Sequence, residues 1–83
     1  MRGGVCLIIT GHGLFVDTAE VMNTGAPAGR GRIINVDAGV THTGPVLNPG
    51  QEYTVTFNRT VANGDQICGQ VGNSVTPCAT IHS

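Results

Sequence analysis

Three histidines, three cysteines, five carboxylates and four arginines make up most of the reactive inventory of this 83-residue chain. Three imidazoles are what a catalytic zinc ion needs. His12, His42 and His82 are spread over the whole chain, however, and no carboxylate stands at a ligand interval from any of them. The spacing favours three surface histidines in loops and a tail, with convergence in space left open. A serine nucleophile would have to be Ser74 or Ser83. Neither has the Gly-x-Ser-x-Gly context of a nucleophile elbow, and Ser83 ends the sequence, where fraying is expected. Cys6 beside a histidine could imitate a thiol nucleophile, but its apolar flanks oppose a thiolate.

Glycosidase-type chemistry needs two carboxylates across a cleft that raises one pKa. Asp17, Glu20, Asp37, Glu52 and Asp65 occur singly. Asp17 is the exception to watch, because it falls on an otherwise apolar face. There it could satisfy backbone N–H groups or pair with an arginine. Gly11-His12-Gly13 fails as a dinucleotide fingerprint, since Val16 holds the third glycine position. The chain is therefore expected to be non-enzymatic, with no cofactor and no metal. Gly29-Arg30-Gly31-Arg32 is different in kind. Two guanidiniums in a flexible loop could grip a carboxylate or phosphate on a partner, or could simply keep a loop solvated. Asn58-Arg59-Thr60 matches the N-glycosylation sequon, a pattern common by chance.

Cys68 and Cys78 lie in the last two strand-like segments, where a hairpin-like return would bring them together. A disulfide between them is expected, and with it export to an oxidising compartment. The alternative is two buried free thiols in a cytosolic protein. Cys6 is the odd one. Within its apolar run it reads as a buried inert thiol, with an intermolecular bridge as the alternative.

Composition narrows the partners. The net charge is −1 and charged residues are 11% of the chain. That excludes a basic nucleic-acid binder and a polybasic membrane anchor. With 40% hydrophobic residues, disorder from charge excess is excluded too. The longest apolar run, from Val5 to Ile9, is too short for a membrane span or a signal core. Either the chain is not exported, or it is a mature form whose signal is gone and whose Met1 comes from expression.

The elements that must hold these residues are strands throughout. Strands are predicted over residues 5–10, 14–22, 32–37, 40–47, 52–61, 66–71 and 78–82. In the second, Phe15, Ala19 and Val21 share a face that Asp17 interrupts, which a bulge or an edge position would explain. In the third, Ile34 and Val36 share a face. Gly44-Pro45 cuts the fourth short or places it on an edge. Tyr53, Val55 and Phe57 alternate with Thr54, Thr56 and Asn58, the clearest period-two pattern in the chain. Asn48-Pro49-Gly50 predicts a turn. Ala62-Asn63-Gly64-Asp65 predicts a type I′ hairpin, with residues 66–71 as the partner strand. Residues 23–31 read as the main loop. The whole predicts an all-β domain, a small antiparallel β-sandwich of six or seven strands, immunoglobulin-like, with a small β-barrel as the alternative.

Four stretches also resemble a known group. Gly13-Leu14-Phe15-Val16-Asp17-Thr18-Ala19-Glu20-Val21 looks like an opening strand of the form G-aromatic-V-D-S-x-x-V. Pro49-Gly50-Gln51-Glu52-Tyr53-Thr54-Val55 resembles P-G-x-x-Y-x-V. Asn63-Gly64-Asp65-Gln66-Ile67-Cys68-Gly69 resembles N-G-x-x-[IV]-C-G, and Pro77-Cys78-Ala79-Thr80-Ile81-His82 resembles P-C-x-T-I-H. In this order, from Gly11 to Ser83, they are similar to small secreted actinobacterial proteins of unassigned function. The resemblance implies export and a Cys68–Cys78 bridge but no reaction, and Cys6 has no place in it.

The expected function is that of a secreted, non-enzymatic binding or structural module with a protein or cell-surface partner. Its contact loop would carry Arg30 and Arg32. A self-associating subunit of a virion or surface fibre is the first alternative, with open strand edges and Cys6 as the means. A small inhibitor or toxin-like effector is the second.

Overall fold

Short runs of β-branched residues alternating with Thr, Arg and Glu, broken by glycine and proline, make extended backbone the favoured local state. The computed structural model describes residues 4–74 and 76–82. Seven strands follow one another: β1 (Val5–His12), β2 (Phe15–Asn23), β3 (Gly29–Asn35), β4 (Val40–Leu47), β5 (Glu52–Thr60), β6 (Gln66–Val71) and β7 (Cys78–Thr80). All pairings are antiparallel. They form a three-stranded sheet, β1-β2-β5, and a four-stranded sheet, β4-β3-β6-β7. Among the described residues no ladder joins the two sheets, so the chain is a sandwich and not a closed barrel. The strand order follows the immunoglobulin scheme, first, second and fifth strands facing third, sixth and seventh. The fourth strand lies beside the third instead of the fifth.

The core is small and aliphatic. Val5, Val16, Ala19, Val21 and Val55 of one sheet meet Ile33, Leu47, Ile67 and Val71 of the other. Tyr53 and Phe57 pack against this core half-buried. The expected alternation in β5 is therefore present, with Val55 buried and Thr54 and Thr56 exposed. In β3 the buried aliphatic is Ile33, while Ile34 points outward and Val36 beyond the strand is 50% exposed. The shared face of Ile34 and Val36 is thus not the core face.

Bulges account for the irregular strands. The β1–β2 and β2–β5 registers both shift next to Asp17. This turns Val16 inward and leaves Phe15, expected on the apolar face, half-buried against the His12 ring, with centroids 5.7 Å apart. In β4 the register shifts across Gly44-Pro45, and β4 is an edge strand. The edge reading of that dipeptide holds and the shortened strand does not, since β4 keeps all of Val40–Leu47; proline lacks a ladder donor and is tolerated at an edge or a bulge.

Two sequence expectations are corrected. Residues 29–31 belong to strand β3, not to the loop, which covers 24–28. Their glycines answer a packing demand: a Cβ on Gly31 would stand 2.6 Å from Leu47 Cδ1, and one on Gly29 would strike the backbone of Gly72. The turn at residues 62–65 is not a hairpin. Only Gly64 has positive φ there, as a type II turn requires, and the chain crosses to the other sheet, where β6 pairs with β3 and β7. The turn at residues 48–51 forms as expected. Gln51 N–H donates to Asn48 O at 2.9 Å, and Gly50 takes a φ of 93°.

One polar side chain organises an end of the sandwich. Asn23 is fully buried, and its Nδ2 donates to Leu47 O at 3.0 Å. Its Oδ1 accepts from the backbone N–H groups of Gly25 and Ala26 at 3.0 and 2.8 Å. Its own backbone exchanges bonds with Gln51 O and Gly50 N–H.

Candidate functional site

Strand geometry decides what Arg30 and Arg32 can do. Side chains two residues apart share a face and sit about 6.5 Å from each other. Gly29, Gly31, Ile33 and Asn35 face the core, so Arg30, Arg32 and Ile34 project from the outer face of the four-stranded sheet. The sequence expectation of a flexible basic loop becomes a pair of guanidiniums on a paired central strand. Arg30 is anchored further, because its Nη1 donates to Gly44 O at 3.1 Å across the β4 bulge. Arg32 is half-buried between Thr43 of β4 and Gln70 of β6.

The next row across this face is Thr41, Ile34, Cys68 and Cys78. Cys68 and Cys78 stand opposite each other in the β6–β7 ladder and are joined by a disulfide, as the hairpin return predicts. The bond lies on the outer face, since Ile67, Gly69 and Val71 take the inward positions of β6. It ties the shortest strand to the sheet that carries the arginines. Such a bond forms and persists in oxidising surroundings.

Charge divides between the sheets. No Asp or Glu occurs in β3, β4, β6 or β7, whose only charges are Arg30 and Arg32. The three-stranded sheet carries Asp17, Glu20 and Glu52 against Arg59. The remaining carboxylates do backbone work: Asp37 Oδ2 accepts from Gln66 N–H at 2.7 Å, and Asp65 Oδ2 from Ala62 N–H at 3.1 Å.

The histidines fall in two places. His12 and His82 line one open hollow of about 260 Å³, with Phe15 and Ile81. His42 lines another, of about 330 Å³, with Phe57, Asn58 and Arg59. Among the described residues no group of three metal-ligating side chains is assembled. Ser74 sits in the turn after β6, its N–H bonded to Val71 O, and Ser83 lies outside the described residues, as does Met1. Cys6, expected among buried residues, is a half-buried free thiol on the outer face of its sheet, opposite Met22. Val5, Leu7 and Ile9 occupy the inward positions instead.

Sequence reasoning missed two things here. It did not see that the arginines lie on a strand, or that Gly44 supplies the acceptor that holds Arg30. The Gly-Arg-Gly-Arg alternation was itself the signal, since period two is a strand's period. Compared with protein-family models, curated proteins and solved structures, the chain matches none.

Proposed function

We propose that this chain is an exported, non-enzymatic binding module that takes a partner protein on the outer face of its four-stranded sheet. The observation that carries the reading is the Arg30–Arg32 pair, held on one side of a central strand in a sheet without a carboxylate. A guanidinium pairs best with a carboxylate, through two parallel hydrogen bonds. An extended peptide presents alternate side chains at the same spacing as the two arginines. The chemistry that fits is thus an extended segment with Asp or Glu at alternate positions.

Export is supported by the disulfide. A non-enzymatic role is in keeping with the open form of the hollows and with the division of the three histidines between two of them.

A fluorescein-labelled peptide with alternating Asp residues, titrated by anisotropy, tests the reading. The wild type should bind it more tightly than the matched Asn peptide. Arg30→Ala/Arg32→Ala should weaken binding tenfold or more, a loss of at least about 1.4 kcal/mol. Equal binding by the double variant removes this face from the proposal.

A further inference from the structure

The sandwich has four edge strands, and three of them are guarded against pairing with another chain. β4 carries Pro45 and a bulge, β5 carries Glu52, Arg59 and a bulge, and β7 has three residues. Proline, charge, bulges and shortness are the devices that blunt an edge. β1 has neither charge nor proline and is not short, and its one register shift falls late, between Thr10 and Gly11. It runs eight residues, Val-Cys-Leu-Ile-Ile-Thr-Gly-His. Its ladder to β2 is regular from Val5 to Thr10, and among the described residues β2 is its only strand partner. The apolar side chains along it are incompletely covered on both faces. Leu7 and Ile9 point into the sandwich yet remain partly exposed, and Ile8 on the outer face is 43% exposed.

We propose that β1 pairs with β1 of a second copy of this chain, antiparallel about a two-fold axis at Ile8, making one six-stranded sheet from two three-stranded ones. This goes beyond the binding face, which lies on the other sheet. A second copy is the occupant because the edge is self-complementary. In this register Ile8 meets Ile8 of the second copy, and Leu7 meets Ile9, so inward side chains stay inward and β-branched residues pair across the seam. No like charges come opposite one another. The nearest carboxylates, the two Glu20 side chains, stand one strand back on either side, about 14 Å apart across three strand spacings. That exceeds the screening length of about 8 Å at physiological salt. No charge along the edge would select a foreign strand, and the hollow that Ile9, Gly11 and His12 help to line lies at its C-terminal end.

The register also places Cys6 opposite Thr10 of the second copy, not opposite another Cys6. The wild-type dimer is therefore non-covalent. Sedimentation velocity on the full chain, with its intramolecular disulfide intact, should give twice the 8.5 kDa mass at high micromolar concentration. Ile8→Lys sets two ammonium groups face to face and should give the single mass, with an unchanged circular dichroism spectrum. Thr10→Cys, oxidised with copper–phenanthroline, should form a reductant-sensitive dimer through Cys6 and the introduced thiol. The same substitution with Cys6→Ser should not. A wild type that stays monomeric overturns the proposal. So does a folded Ile8→Lys variant that remains dimeric, or a dimer in which Thr10→Cys fails to crosslink.

Discussion

Tyr53 of β5 lies against Gly44 of β4 so closely that a Cβ on Gly44 would stand 2.6 to 2.7 Å from three of its ring carbons. The same side chain borders Gly31 of β3, where a Cβ would come within 3.3 Å of Tyr53 Cβ. One half-buried aromatic thus closes the sandwich over two glycines of the opposite sheet, beside the β4 bulge whose carbonyl holds Arg30. Gly44 does not have positive φ, so its constraint is space and not backbone conformation.

Gly44→Ala should therefore destabilise the fold by overpacking, by about 1–3 kcal/mol. Tyr53→Val in the same chain should recover part of that loss. Urea unfolding of the two single variants and the double variant gives the coupling energy. Strictly additive effects would mean that the ring is not what excludes the methyl group.

Asn23→Ala should be among the most damaging single changes. It strands the buried N–H of Ala26 and the carbonyl of Leu47, and each buried orphan costs about 1–3 kcal/mol. A fall in the urea midpoint equivalent to about 3 kcal/mol is expected, with the slope unchanged. A loss below about 0.5 kcal/mol would show that water replaces all three bonds.

The disulfide should stabilise without being required for folding. It closes a sequence separation of 10 and lies on the outer face, away from the aliphatic core. Cys68→Ala/Cys78→Ala should lose about 3 kcal/mol or less by the chain-entropy argument. Its far-UV spectrum should stay native at 25 °C. An unfolded variant would mean that the last strand depends on the bond for its place.

Much of the strand pattern was legible because period two is local. Tyr53, Val55 and Phe57 declare a half-buried strand without knowing its neighbours, and Asn48-Pro49-Gly50 declares a turn by its own φ preferences. β4 and β6 have the bounds that the sequence suggests. The failures share a cause. Gly29 and Gly31 look like loop glycines, because a glycine that frees the backbone and one that makes room for Leu47 are the same letter. Asn63-Gly64 looks like a hairpin, because nothing within four residues says that the next strand belongs to the other sheet. Asn23 looks like a surface residue, because its acceptor lies 24 positions away. The arginine face proposed for binding was half legible: the two arginines stood out, but the strand beneath them did not.

The buried Asn23 has a further consequence for how this scaffold can change. Its side chain measures the span of the loop at residues 24–28, and its backbone measures that of the turn at 48–51. An inserted residue in either would pull a donor or acceptor out of reach. Length variation is thereby disfavoured in both of these connections. A peptide grafted for display, or an insertion acquired in evolution, belongs outside them.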